Sequence, residues 1–256
     1  MIKRLKQIEL EGNLLSGNEI LIIPNANHFS MNIEKRFWSM DNTEINRMFP
    51  GYELGETTQR IAAALFDKIK GFAYGIQLAS YYITGDFIPH VRMMETGYQP
   101  EEEGKLFGLP YVYIKHPHPY DTTVLNYNWQ IWNTKAFSLY AGKQNTISRE
   151  ATDEACTAIL RFMASVGIIR QTVENGCRSA TIRDSDLKSV KAETAGIFYK
   201  LKGAKDEVKQ GETLAQIIDP YDGSVRLSVK SPVDGSIFFA YDKPLVLQNS
   251  LLYKIV

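Results

Sequence analysis

The sequence predicts an α/β domain followed by a small all-β module. Two observations carry this reading. Up to about residue 167, short aromatic and β-branched runs alternate with stretches of helical periodicity. Beyond about Val190 that periodicity stops, and short apolar runs are broken by "QG", "DPYDG" and "SPVDG". A chain of 256 residues can bury a full core and carry a small appendage, so the expected division is 1–190 and 191–256.

The elements follow in order. "MIKRLKQIELEG" sets Ile2, Leu5, Ile8 and Leu10 near helical spacing, so the chain starts inside an amphipathic helix. "EILIIPNAN" reads as a buried strand ended by Pro and Asn. In "GETTQRIAAALFDKIKGF", Ile61, Ala62, Leu65, Phe66 and Ile69 mark one helical face. "YGIQLASYYI", "LPYVYIK" and "AFSLYAG" are rich in aromatic and β-branched residues and predict strands. Between the last two, "HPHPYDTTVLNYNWQIWNTK" reads as a long irregular stretch. Ser148 is a candidate N-cap for a helix running to Gly167, with acids in its first turns. Residues 170–190 form a polar connector with some strand of its own.

Composition narrows the partners. Charged residues are 23% and hydrophobic residues 44%, as in a water-soluble globular chain. Lys plus Arg (29) balances Asp plus Glu (29), so no overall field favours nucleic acid or an anionic membrane. A small molecule or a protein is the expected partner. Cys156 and Cys177 make neither a disulfide scaffold nor a metal-ligand pair, which points to a reducing cytoplasm. No run approaches the roughly 20 apolar residues of a membrane span, and the first residues lack a secretory pattern.

The candidate binding residues cluster around "EINRMFPG". Arg47 offers a planar fork of donors suited to a carboxylate or phosphate, and Asn46 beside it adds a further donor or acceptor. The pair could instead tie down the loop, by a salt bridge to Asp41 or Glu44. Of the four histidines, His116 and His118 in "KHPHPYD" lie two apart with Asp121 following, a set short of three convincing metal partners. His28 and His90 sit beside strands near the presumed pocket, and Arg92 could add positive charge to it. Tyr81, Tyr82, Tyr127, Trp129 and Trp132 wall a ligand site or fill the core, core packing being the plainer account of such large rings.

The succession "LSGNEILIIPNAN", "EKRFWSMDNTEINRMFPG", "ETTQRIAAALF" and the glycine-punctuated tail resembles the succinylglutamate desuccinylase and aspartoacylase family of zinc carboxypeptidase-like hydrolases. The resemblance implies a mixed sheet with helices on both faces, a following β module of barrel-sandwich type, and a zinc-bound water that attacks the amide of an N-acyl amino acid. It assigns Arg36, Asn46 and Arg47 to binding of the substrate carboxylate. It also places the family's first metal motif, His-x-x-Glu, upstream of Met1. The third metal ligand falls on "GIQLASYY", with Gln77 and Ala79 where the family has Asp and His, and Tyr140 of "FSLYAG" stands where the family's general base is a Glu. Alanine binds no metal, and a phenol with a pKa near ~10 is no base at neutral pH.

The expectation is therefore a family member with no catalytic or metal-ligating residues of its own that keeps a carboxylate-binding clamp and carries no zinc. A protein-interaction scaffold is the alternative. An incomplete sheet edge predicts self-association.

Overall fold

The computed structural model describes residues 1–143 and 146–256. Its first part runs α1 (Ile2–Leu10), α2 (His28–Asn32), α3 (Thr57–Ile69), β1 (Tyr74–Ala79), β2 (Gly85–Phe87), β3 (His90–Met94), α4 (Glu101–Lys105), β4 (Tyr111–Lys115), α5 (Leu125–Ile131), β5 (Lys135–Tyr140) and α6 (Arg149–Ser165). Strands then follow, with no further α-helix among the described residues: β6 (Ala180–Arg183), β7 (Lys188–Lys191), β8 (Gly196–Lys200), β9 (Glu207–Val208), β10 (Thr213–Ile218), β11 (Val225–Lys230), β12 (Gly235–Tyr241), β13 (Leu245–Val246) and β14 (Leu251–Ile255).

The central sheet has the order β1-β5-β3-β4-β6. It is mixed: β1 with β5, β3 with β4 and β4 with β6 are parallel, while β3 and β5 are antiparallel. Alternation along each strand gives the sheet two different faces. On one, Val91, Met93, Val112, Ile114, Phe137 and Leu139 pack with Leu5 and Ile8 of α1 and with Ala158, Ile159, Phe162 and Met163 of α6. Phe162 stacks on Phe107 at 4.4 Å and meets Tyr74 edge-on at 5.3 Å. Truncating a ring so enclosed costs about 3–5 kcal/mol. Helix α6 starts at Ser148, whose Oγ accepts the Ala151 N–H at 3.2 Å, and Gly167 follows its end with φ +74°.

On the other face α3 and α5 cover the β1 and β5 end, through Ala62, Phe66, Ile69, Trp129 and Ala136. Helices on both faces of a mixed sheet are what the family resemblance implies. The rest of this face is not an ordinary core. Gln77 pairs in register with Ser138, Ser138 with Arg92, and Arg92 with Tyr113, so a polar row crosses the sheet.

The tail forms two further sheets, ordered β11-β10-β8-β13 and β2-β12-β14-β7, around their own core of Leu214, Ile217, Ile237, Leu252 and Ile255 among others. Strands β2 and β7 come from earlier in the chain and complete the second of these sheets. Phe238 and Phe239 pack with Phe87, Tyr113 and Tyr140, which seals the tail against the central sheet beside the polar row.

Two local expectations are corrected, and one strand is added. Residues 19–27 form no strand, and Leu21, Ile22 and Ile23 are 46%, 38% and 38% exposed. An apolar run becomes a strand only where a neighbour meets its backbone groups, and no described strand lies beside it. Within the stretch expected to be irregular, "LNYNWQI" forms α5, with Leu125 and Trp129 on its buried side. Strand "HVRMM" is hidden in the sequence by the arginine at its centre.

Among the described residues no helix is long and apolar enough to cross a membrane.

Candidate ligand-binding site

The "EINRMFPG" segment is a short 3-10 turn, Ile45–Arg47, followed by a tight bend. Gly51 takes φ +95°, and a Cβ there would overlap the Ala63 backbone nitrogen, so only glycine lets the bend dock on α3. Asn128 of α5 fastens the same bend, its Nδ2 donating to the carbonyls of Phe49, Thr122 and Val124 at 3.1, 2.9 and 3.0 Å. The turn thereby holds Asn46 and Arg47 over the end of β1. Asn46 Oδ1 accepts from Gln77 Nε2 and from the Leu125 N–H, each at 3.3 Å, leaving its amide NH2 for another partner.

Arg36 donates to Glu44 at 2.8 Å and lies over the ring of Tyr82 at 4.9 Å. Arg47 donates to the Tyr120 carbonyl at 2.9 Å and to Asp121 at 3.2 Å. Lys115, at the end of β4, grips the other oxygen of Asp121. Burial alone would push the Asp121 carboxyl up, but Lys115, the His118 N–H and Arg47 hold it below the usual carboxylate range. Of the two acids proposed as loop partners, Glu44 is paired with an arginine, whereas Asp41 caps Thr58.

Arg36, Glu44, Asn46, Arg47, Lys115 and Asp121 line one cavity of about 720 Å³ between the central sheet, the turn and the tail. Its wall carries five cationic side chains, Arg36, Arg47, Arg92, Lys115 and Lys254, against two acids, Glu44 and Asp121. Tyr81, Tyr82 and Tyr140 line it as well, whereas Trp129 belongs to the core and Trp132 packs edge-on against Phe66. Tyr140 is 2% exposed; burial pushes its hydroxyl up, opposed by Arg92, Arg36 and Arg47, and it stays a neutral phenol. Its ring stacks on His90 at 4.9 Å and lies 4.6 Å from the Arg92 guanidinium. His90 sits behind the wall, its Nδ1 donating to the Ile88 carbonyl at 2.7 Å and its Nε2 accepting from Tyr81 at 3.2 Å. Burial drives its pKa down to about 3, so the ring is neutral.

Solved structures share this architecture. A succinylglutamate desuccinylase/aspartoacylase from Rhodobacter sphaeroides matches with a TM-score of 0.76 over 91% of this chain and 73% of that one, at 20% identity. The product-bound ectoine utilization protein from Ruegeria pomeroyi gives 0.76 over the same shares at 18% identity. A succinylglutamate desuccinylase from a Silicibacter species gives 0.80, again over 91% and 73%, at 17% identity. The chain has the fold of these succinylglutamate desuccinylase/aspartoacylase-type structures. No family model and no curated protein matches the sequence.

Within the desuccinylase fold, the residues that the resemblance assigns to the metal and the base lie side by side: Ala79 ends β1 and pairs in register with Tyr140. The donor set does not fit zinc. Among the described residues, no His or Cys lines the cavity, and its two acids are held by cations. Nor, among those residues, do any three of His, Cys, Asp and Glu converge. His28 is exposed at the start of α2, His116 binds Glu95 at 2.9 Å, and His118 stacks on Tyr120, so the His116, His118 and Asp121 set is not assembled.

Nothing local in the sequence singles out Lys115 and Lys254. Lys115 ends a strand expected from the sequence, where open α/β sheets place their ligands. Lys254 interrupts an apolar terminal run, and its neighbours in the chain do not say which face it takes.

Proposed function

We propose that the chain is a succinylglutamate desuccinylase/aspartoacylase family member that binds a small carboxylate-bearing ligand, of the N-acyl amino acid kind, and does not hydrolyse it. The observation that carries this is the charge of the cavity, where five cations face two acids. Arg36 and Arg47 present guanidinium forks, and the free amide NH2 of Asn46 adds a donor for a carboxylate oxygen. Binding exchanges part of the Glu44 and Asp121 contacts for contacts with the ligand.

Hydrolysis needs a water made nucleophilic and a base to take its proton. Ala79 supplies no ligand atom, and the neutral phenol of Tyr140 takes no proton at pH 7. On this reading the clamp persists without the chemistry, and no zinc is carried. Residues 1–190 hold the clamp, residues 191–256 close the cavity with Phe239, Leu251 and Lys254, and the protein works in the cytoplasm. The open outer edge of β1, with Leu78 65% exposed, supports self-association, to be read by light scattering.

The test is calorimetric titration with N-acetylaspartate and butyrate, with acetate release from the former followed by proton NMR. Binding that weakens at least tenfold in Arg47→Gln, with no acetate released, is expected. Acetate release, or no binding of either compound, would overturn the proposal.

A further inference from the structure

The outer sheet of the tail, ordered β11-β10-β8-β13, has two faces, and among the described residues only one of them is covered. Phe198, Ile217, Val229 and Val246 point inward to the tail core. Alternation along an antiparallel strand ordinarily puts polar residues on the face that meets water. Strand β8 breaks that rule. In "GIFYK", Ile197 and Tyr199 flank the buried Phe198 and are exposed, so the strand is apolar on both sides. Such a run is the pattern of a strand buried on both faces.

The register extends this apolar face across the whole sheet. Ile197 lies opposite Ile218 of β10 and Leu245 of β13, and Ile218 lies opposite Val225 of β11. Residues directly opposite share a face, so these four form one apolar row through all four strands. Beside it runs a second row, Tyr199, Gln216 and Ser228, also paired across the sheet. Leu247 follows Leu245 on the same face, past the buried Val246. No charged side chain stands in either row. Ile197, Tyr199, Val225, Leu245 and Leu247 are 39% to 74% exposed. With the rest of the two rows they offer roughly 700 Å², above the roughly 300–600 Å² of the largest patch on an ordinary monomer and close to the roughly 800 Å² that each partner gives to a stable interface.

We propose that this face is covered by the same face of a second copy of the chain. Its area is that of one side of a stable dimer. Being uncharged, it selects no oppositely charged partner, whereas two-fold symmetry asks only that the patch fit itself. An apolar row that crosses every strand lets two such sheets pack face to face, at about 30° between strand directions, as in a sandwich. The interface uses no residue of the ligand cavity, whose tail wall is Phe239, Leu251 and Lys254 of the other sheet, so the dimer does not depend on the clamp. It is separate from the open β1 edge too, since that edge would pair backbone groups and this face packs side chains.

The experiment is light scattering of the full chain as wild type and as Leu78→Lys, a charge that blunts the β1 edge. Ile197→Lys or Leu245→Glu is then added to Leu78→Lys. The Leu78→Lys protein is expected to remain a dimer through a dilution series, and either tail substitution should make it a monomer. Its melting temperature should rise with protein concentration, and that of the combined variants should not. Both tail positions are exposed, so far-ultraviolet circular dichroism should be unchanged, which separates lost association from lost folding. The two substitutions lie on different strands, so a folding defect in one leaves the other to decide. A Leu78→Lys protein that is already a monomer would overturn the proposal, and the β1 edge would then be the interface if wild type still associates. A dimer that survives both tail substitutions would overturn it equally.

Discussion

The guanidinium of Arg92 lies 4.6 Å from the ring centroid of Tyr140. The same ring stacks on the His90 imidazole at 4.9 Å, with 3° between the planes. A tyrosine thus stands, as a packed and uncharged ring, where the resemblance to deacylases would put a catalytic carboxylate. Tyr140→Phe keeps both ring contacts and should leave the denaturation midpoint nearly unchanged. Tyr140→Ala empties the stack and should cost about 3–5 kcal/mol in chemical denaturation.

His90 predicts an acid sensitivity of stability. Its folded pKa is lowered to about 3, while the unfolded chain protonates it near the ordinary ~6.5. Below pH ~6.5 the unfolded state therefore binds the extra proton, and stability falls as pH falls, by a little over ~1 kcal/mol per unit for this one group. The window from pH ~6.5 to ~5 lies above the carboxylate range, so His90 dominates it. His90→Gln should flatten the slope there, read as urea midpoint against pH. An unchanged slope in that variant would show that another group sets it.

Much of this fold was legible in the sequence, for definable reasons. Helices α3 and α6 and strands β1, β4 and β5 follow periodicity, cap and β-branched content, all local signals. Strand β3 and helix α5 escaped because Arg92 breaks the apolar pattern of one, and aromatic and amide residues obscure the other. Arg36, Asn46 and Arg47, singled out by the family resemblance, line one cavity together. Their gathering with Lys115 and Lys254 could not be read from the sequence, since it depends on a tail strand folding back from more than a hundred residues away.

In the proposed clamp, Asp121 competes with the ligand for Arg47. It is 3% exposed, accepts from Arg47 at 3.2 Å and also binds Lys115. Asp121→Asn removes the shared charge and should destabilise the protein by about 3 kcal/mol, since two cations lose their partner. At the same time it frees both cations, so carboxylate affinity should rise several-fold. Opposite signs in the melt and in the titration separate this competition from simple structural damage.

Gly51 links the clamp to α3. Its φ is +95°, and a side chain there would run into the backbone nitrogen of Ala63, so Gly51→Ala meets both strain and overlap. A loss of at least about 2 kcal/mol is expected. The turn carrying Asn46 and Arg47 should shift with it, so carboxylate affinity should fall together with stability. Ala63→Gly should recover neither, because the tightest contacts are with the Ala63 backbone, as measured by melting and titration of the double variant.

The central claim is that a cationic clamp, and not a metal, binds the ligand in this cavity. Its most direct test is calorimetric titration of glutarate against wild type and Arg47→Gln, each with and without equimolar zinc. The expected result is the same wild-type affinity with and without the metal, and loss of binding in Arg47→Gln under both conditions. Binding that requires zinc, or that survives Arg47→Gln, would contradict the claim.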